Sequence, residues 1–189
     1  IIVNWNAKVY LDQCLASLTE EVCRYPMEII VVDNASSDGS VECVEKEYPH
    51  VRLIRNDTNL GFAKANNLGI SASSGRYICL VNSDVKVLDA CVTKLVDYME
   101  EHPEVGIAGP SMLGPDGKVG RSCRGFPTVW NMLCFALGLD LVFPRVRLFG
   151  GYALRYWPQN TTRSVDILGG WFWIVRQEAL KKVGLLDEG

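Results

Sequence analysis

Four short segments of this 189-residue chain gather amide and carboxylate side chains directly after an aliphatic run. They are Asn4-Trp5-Asn6, Asp33-Asn34-Ala35-Ser36-Ser37-Asp38-Gly39, residues 56–61, and Asn82-Ser83-Asp84. Carboxylates accept hydrogen bonds and ligate hard cations, while amides both donate and accept. Such a set can hydrogen-bond a base and ribose and hold a divalent cation against phosphates. Taken singly, each segment reads as a turn or a cap: Asp38 and Ser40 suit a helix N-terminus, and Asn and Gly suit turns. Capping does not require a carboxylate after both the second and the fourth run, so together they read as a ligand site. No G-x-G-x-x-G follows the first run and no G-x-x-x-x-G-K-[ST] occurs, which removes a dinucleotide fingerprint and a P-loop. With His50 and His102 alone, and no closely spaced Cys/His cluster, zinc is not expected. Any metal is expected to be held by oxygen.

These segments need a scaffold that brings them to one place. Residues 1–4, 28–33, 51–54, 76–82 and 105–109 are β-branched or aliphatic runs ending in polar or turn residues, and each reads as a strand. Patterns at helical spacing lie between them, over 9–19, 40–47, 63–73 and 88–101. Strand and helix therefore alternate from 1 to 109. Parallel neighbours need crossovers and the crossovers bury both faces, so the expected class is α/β with a mainly parallel sheet flanked by helices. In such sheets ligands sit beyond the carboxyl ends of the strands, where all four polar segments would face one rim.

From Pro110 the rhythm breaks. Gly114-Pro115-Asp116-Gly117 is a strong turn signal, and the stretch to Arg163 shows no clean βα unit, so it reads as an irregular insertion. The apolar run over 165–175 followed by 177–183 reads as strand then helix rejoining the sheet. Functionally the chain divides at 109/110, with a ligand-binding α/β half over 1–109 and a second half of the same domain over 110–189.

Composition sets the remaining bounds. Hydrophobic residues make up 48% and charged residues 22%, enough for a folded core, and a net charge of -3 gives no support to a nucleic-acid partner. Residues 118–163 nonetheless carry six Arg and one Lys against Asp140 alone. That +6 leaves -9 for the remainder to reach -3. The same stretch holds Trp130, Phe135, Phe143 and Phe149, a basic and aromatic mixture suited to an anionic lipid interface; a helix packed on the sheet with solvated arginines is the competing reading. No apolar stretch approaches the roughly 18 residues of a spanning helix. Seven cysteines without a C-x-x-C pair fit a reduced compartment, so the expected location is cytoplasmic, with peripheral contact at the inner face of the plasma membrane left open. The first residues already read as a buried strand, which suggests that the chain is cut from a longer protein.

With these residues in view, the sequence resembles the inverting family 2 glycosyltransferases with a GT-A fold. The resemblance runs through five segments in order: residues 1–6, 30–40, 59–67, 75–84 and 169–188, the last from Gly169-Gly170 to Gly184-Leu185-Leu186-Asp187-Glu188. The set looks most like the branch of bacterial rhamnosyltransferases that build cell-surface polysaccharide. It implies a nucleotide-sugar donor, dTDP- or UDP-linked, with dTDP-rhamnose among the candidates, and a saccharide or lipid-linked saccharide acceptor. It places Asp33 at the base with Asn34 and Asp38 nearby, Asn4, Trp5 and Asn6 along base and ribose, and Gly61 and Asn66 at the helix facing the donor. Asp33 as acceptor would select uracil or thymine, whose imide N–H cytosine lacks. Asn82-Ser83-Asp84 stands where the family has D-x-D, which implies Asp84 as the ligand of Mg²⁺ or Mn²⁺, with Asn82 as a weaker neutral neighbour. Asp166, Gly169, Gly170 and Trp171 fall on the acceptor side. Trp171 and Trp173 could contact sugar or lipid, but core packing is the favoured role for both, and for Phe62 it is favoured over a stacking platform. The family's catalytic base follows the Gly-x-x-Asp-Glu segment, so it is expected beyond Gly189 and is assigned to neither Asp187 nor Glu188.

Two other classes stay open on the sequence. A nucleotidyltransferase that makes the sugar nucleotide would need a Gly-rich basic loop after the first strand, which Asn4-Trp5-Asn6-Ala7-Lys8 lacks. A non-catalytic nucleotide-sugar-binding module would lack the acidic pair downstream.

Overall fold

The computed structural model describes residues 1–21, 23–114 and 116–189. The turn expected at 114–117 includes Pro115, which lies outside the described residues. Two compact units form, one from Ile1–Ala108 with Gly170–Gly189 and the other from Gly109–Gly169.

The first unit is built on a six-stranded sheet. In chain order its elements are β1 (Ile2–Asn4), α1 (Lys8–Glu20), β2 (Ile30–Asp33), α2 (Ser40–Glu47), β3 (Arg52–Arg55), α3 (Gly61–Ala72), β4 (Tyr77–Asn82), α4 (Cys91–Glu101) and β5 (Ile107–Ala108). After the second unit, with its β6 (Cys123–Arg124), α5 (Val129–Ala136), α6 (Leu139–Val142) and β7 (Ile167–Leu168), come β8 (Phe172–Arg176) and α7 (Gln177–Val183). The strand order is β3-β2-β1-β4-β8-β5. Strands β1 to β4 run parallel, as the alternation requires, whereas β8 lies antiparallel between β4 and β5. The apolar run over 165–175 is not one strand: it divides at Gly169-Gly170, its first part pairing with β6 and its second entering the main sheet. Because β8 pairs with β4 and β5, Gly170–Gly189 belong with the first unit.

Side chains alternate between the two faces of the sheet, which are covered by different helices. Val31, Val81, Phe172 and Ile174 meet Leu11, Leu15 and Leu18 of α1, Val44 of α2, and Val92, Val96 and Met99 of α4. On the other face Ile30 and Val32 pack with Ala65 of α3, and Ile78 and Leu80 with Ile70 of α3 and Leu180 of α7. Gly69 permits the close approach of α3, since a Cβ there would stand 2.4 Å from Ile1 Cγ2 and 3.3 Å from Val32 Cγ2. At the lower end of the sheet, buried Arg176 donates to the carbonyl of Met99 at 2.6 Å and to that of Val105 at 3.3 Å, placing a cation at the C-terminal end of α4.

The crossovers create a switch point. The chain leaves β1 through α1 toward β2 on one side, and reaches β4 through α3, which covers the opposite face, on the other. Between the carboxyl ends of β1 and β4 no connection crosses, and this is where an open α/β sheet leaves a crevice.

The second unit has its own small core. Cys123, Leu154 and Trp157 pack together beneath the β6–β7 pair. Gln159, buried, accepts from the backbone of Ser122 at 2.8 Å and Cys123 at 3.0 Å and donates to the carbonyl of Cys123 at 3.2 Å.

Candidate nucleotide site at the strand ends

The strand register fixes the backbone of the site. Asn4 stands opposite Asp33, Asp33 opposite Arg55, and Val3 opposite Asn82, so the segments that follow β1, β2, β3 and β4 leave the sheet at one rim. The side chains then tie these segments together. Asn4 Nδ2 donates to Asp33 Oδ1 at 2.9 Å and to Ser36 Oγ at 3.1 Å, and the Ser36 amide donates to Asp33 Oδ2 at 2.8 Å. The Asn6 amide donates to Ser36 Oγ at 2.9 Å, while Asn6 Oδ1 accepts from the Ser37 amide at 2.8 Å. Ser36 is thus the hub between the first two loops, a role that the run Ser36-Ser37 did not disclose in sequence.

Two residues of this web hold a left-handed backbone: Asn6 at φ 50° and Ala35 at φ 60°. Asn tolerates that region and Ala does not, at about 1 kcal/mol, so the surrounding hydrogen bonds over-determine the loop. Strain of this kind collects where a loop must present its backbone to a ligand.

Asp38 joins two helix N-termini. Its Oδ2 accepts from the Lys8 amide, the first residue of α1, at 2.8 Å, and its Oδ1 accepts from the Ser40 amide at 3.0 Å and from Ser40 Oγ at 2.5 Å. Desolvation pushes this carboxyl upward, but the hydrogen bonds from Ser40 and the Lys8 amide outweigh it and hold the group below the ordinary aspartate range. The third segment closes from the other side. Asn56 Nδ2 donates to Asn34 Oδ1 at 2.9 Å and Asn34 Nδ2 to the Gly61 carbonyl at 3.3 Å. Gly61, at φ +79°, opens α3, and a Cβ added there would meet nothing within 4 Å, so open space lies over this turn.

After β4 the chain turns at Asn82, whose carbonyl accepts from the Val85 amide at 3.2 Å. Val87 is buried and its amide donates to Ser17 Oγ at 3.0 Å, which pins the turn from below. Asp84 is exposed on this turn and Asn82 partly exposed. Cys14 Sγ lies 3.7 Å from the Asn82 carbonyl, and burial pushes its thiol up to about 12, so it is a neutral prop rather than a nucleophile. Trp171 accepts through its carbonyl from the Asn82 amide at 2.9 Å and packs on the core beside α1 and α4. Its indole N–H is buried without a partner among the described residues, as is that of Trp173. Asp166 and Gly169 belong to the second unit, where Asp166 Oδ2 accepts from the Phe126 amide at 2.9 Å; Gly170 and Trp171 belong to the first.

One side chain stands otherwise than expected from the sequence alone. Phe62 is 48% exposed and is not part of the core. Trp5, at 58%, is also open to solvent. Asn66 is buried and its amide donates to the Phe62 carbonyl of its own helix at 2.9 Å, whereas its neighbour Asn67 reaches another segment: Nδ2 donates to the Leu186 carbonyl and to Glu188 Oε1, both at 2.9 Å, and Oδ1 accepts from the Leu186 amide at 3.0 Å. Asn67 therefore binds the Gly184–Glu188 segment to α3, a role no local pattern signals because its partner lies 119 residues away.

The donor set can be tested for a divalent cation. Among the described residues no group of three or more His, Cys, Asp or Glu side chains converges on one point. Mg²⁺ and Mn²⁺ at phosphate sites take one or two carboxylates from the protein and the rest of the shell from the phosphates and water. Asp84, exposed on the same turn as Asn82, fits that mode.

A profile described as Glycosyl transferase family 2 matches residues 1–184. N-acetylglucosaminyl-diphospho-decaprenol L-rhamnosyltransferase of Mycobacterium tuberculosis is 29% identical over 199 aligned positions, which cover 100% of this chain and 64% of that protein. The chain thus spans less than two thirds of the length of this relative. Among solved structures, mannosyltransferase PcManGT from Pyrobaculum calidifontis in complex with GDP-Man and Mn²⁺ superposes with a TM-score of 0.64 at 18% identity, covering 99% of this chain and 46% of that one. S. aureus TarS 1-349 in complex with UDP gives a TM-score of 0.66 at 20% identity, covering 100% and 49%. At such identities the likeness is one of fold, and the fold is GT-A.

Proposed function

Because the chain belongs to glycosyl transferase family 2, we propose that it is the donor-binding part of an enzyme that moves a sugar from a nucleoside diphosphate to a hydroxyl. The observation that carries this reading is the hydrogen-bonded web of Asn4, Asn6, Asp33, Ser36 and Asp38 at the β1/β4 switch point, with Asp84 exposed at the end of β4. In the proposed complex Asn4, Trp5 and Asn6 run along base and ribose. Asp33 accepts the imide N–H of uracil or thymine with lone pairs that its two protein partners leave free, and Asn34 and Gly61 close the far side. The donor would be a UDP- or dTDP-sugar; rhamnose is the sugar in the mycobacterial relative's name, which makes dTDP-rhamnose a candidate.

The reaction is read as a single displacement. The acceptor oxygen attacks the anomeric carbon as the bond to the diphosphate breaks, the configuration inverts, the hydroxyl proton passes to a base, and the nucleoside diphosphate leaves. Mg²⁺ or Mn²⁺ held by Asp84, with Asn82 alongside, would neutralise the charge that grows on the leaving diphosphate. No base is assigned among these residues; Glu188 Oε1 accepts from Asn67 Nδ2 at 2.9 Å. Asp166, Gly169, Gly170 and Trp171 are proposed for the acceptor side. A saccharide on a lipid carrier is the acceptor class suggested by the relative's name. Cell-surface polysaccharide as product class and the cytoplasmic face of the membrane as place of work are part of the same proposal.

Titration calorimetry tests the donor assignment. UDP and dTDP should bind the chain at least tenfold more tightly than CDP, because a cytosine ring would leave the Asp33 carboxylate facing an acceptor. In Asp33→Asn that preference should vanish. Equal affinity for UDP and CDP in the unaltered protein would overturn the placement of Asp33 at the base.

A further inference from the structure

The second unit carries a surface that its own core does not use. In α5 only Cys134 is buried, while Val129, Trp130, Met132, Leu133 and Phe135 are exposed, Val129 to 89%. The same holds through α6 and beyond, where Leu137, Leu141, Val142, Phe143, Val146 and Leu148 are exposed. Scattered exposed apolar residues are ordinary, but eleven large ones within twenty residues, through two helices and the turn after them, are not. The run is held in shape from inside. Thr128 Oγ1 caps α5 by accepting from the Asn131 amide at 3.2 Å, Trp130 Nε1 donates to the Leu148 carbonyl at 3.0 Å, and the Phe149 ring lies 6.4 Å from that of Trp130 and 5.3 Å from that of Phe143. The apolar side chains thus point outward from a braced scaffold.

The charge of the same stretch decides what can cover it. Asp140, the single acid of residues 118–163, is buried and receives Arg155 Nε at 2.5 Å, so it offers nothing to the surface. Arg145 and Arg147 are exposed in the turn after α6, and among the described residues neither joins an ion pair. An apolar surface bordered by unpaired arginines is complementary to an anionic bilayer, where the side chains enter the boundary of the acyl region and the guanidinium groups meet lipid phosphates.

We propose that the face formed by α5, α6 and the following turn, residues 129–148, seats this protein on an anionic lipid bilayer. The proposal rests on the transferase reading for its purpose, which is to bring the enzyme to a lipid-borne acceptor, but not for its grounds. Those are the exposed apolar residues and two exposed arginines that join no ion pair among the described residues.

Vesicle flotation tests it on the chain as it stands. Binding to vesicles containing phosphatidylglycerol should be strong at low salt, weaken several-fold as salt rises, and be slight with phosphatidylcholine alone. The double variant Arg145→Glu, Arg147→Glu should bind at least tenfold more weakly, since each basic group near an anionic surface contributes about fivefold. Leu133→Ser with Val142→Ser, both at exposed positions and leaving the charge unchanged, should weaken binding as well. All variants should keep the calorimetric affinity for UDP, which separates loss of the lipid face from failure of the donor assignment. Quenching of tryptophan fluorescence by brominated lipid should drop in Trp130→Phe, a variant that keeps the charge and the aromatic ring but loses the hydrogen bond to the Leu148 carbonyl, so its melting curve is read beside the quenching. Failure of the unaltered chain to float with anionic vesicles would overturn the proposal. So would flotation indifferent to every variant, or a concentration-dependent dimer that Leu133→Ser and Val142→Ser abolish without any lipid binding, for then the face joins two copies of the chain.

Discussion

Asp33 and Asp84 are both aspartates at strand ends, and their surroundings give them different work. Asp33 is buried and each of its oxygens already accepts one protein hydrogen bond, so it organises Asn4 and Ser36 as well as offering its remaining lone pairs. Asp84 is exposed and carries no hydrogen bond among the described residues, which leaves both oxygens for a cation. This contrast yields a prediction at the scale of one residue. Mn²⁺ should tighten UDP binding to the unaltered chain, and Asp84→Ala should remove that increment while leaving metal-free affinity within about twofold. The neutral Asn82 limits the effect, so Asn82→Asp should enlarge it, a second carboxylate adding Coulomb attraction. Calorimetry with and without Mn²⁺ reads both variants, and an unaltered chain indifferent to Mn²⁺ would make Asp84 a turn residue.

At the scale of elements, Asp38 matters most, because one carboxylate satisfies orphan donors at the start of both α1 and α2. Neither helix has a side-chain cap of its own: their N-cap residues are Ala7 and Gly39. Asp38→Ala should therefore lower stability by about 1 kcal/mol, or roughly 2–4 °C in Tm for a chain of this size. The carboxyl is depressed in the folded state, so the unfolded chain binds its proton more readily and the stabilisation is present above the ordinary aspartate value. It is lost as pH falls through the folded value. The Tm gap between the two proteins should consequently be full at neutral pH and narrow below about pH 4, as melting curves across that range would show; a constant gap would mean that the charge is not what caps the helices. The helices and parallel strands around Asp38 were legible because their apolar periods are unambiguous. The boundaries that were not legible have local causes. The helix after β4 starts at Cys91 rather than at residue 88 because Asp89 and Ala90 take positive φ, which no hydrophobic pattern encodes. The apolar run over 165–175 divides between two sheets because apolar periodicity cannot register a change of partner.

At the scale of the whole molecule, the α/β unit is discontinuous in sequence. Strands β5 and β8 pair antiparallel, Ala108 opposite Ile174, so the second unit occupies the connection between two hydrogen-bonded neighbours. A connection on the surface tolerates a long insertion, and its composition follows its own demands, which explains a local charge of +6 in a chain of net charge -3. Sequence reasoning located the four polar strand ends because each follows an aliphatic run directly. It did not find Ser36 as the hub or Asn67 as the tie to Glu188, since those roles depend on partners brought near only by the fold. The four strand ends are proposed to form one nucleotide site. Mapping backbone amide shifts of the isotope-labelled chain during titration with UDP tests this most directly. The account predicts large shifts confined to Asn4, Trp5, Asn6, Asp33 through Asp38, Gly61 and Asn82 through Asp84, with Tyr77, Met99 and Arg176 at the opposite end of the sheet unmoved. Shifts centred on that lower end, or none anywhere at saturating UDP, would contradict it.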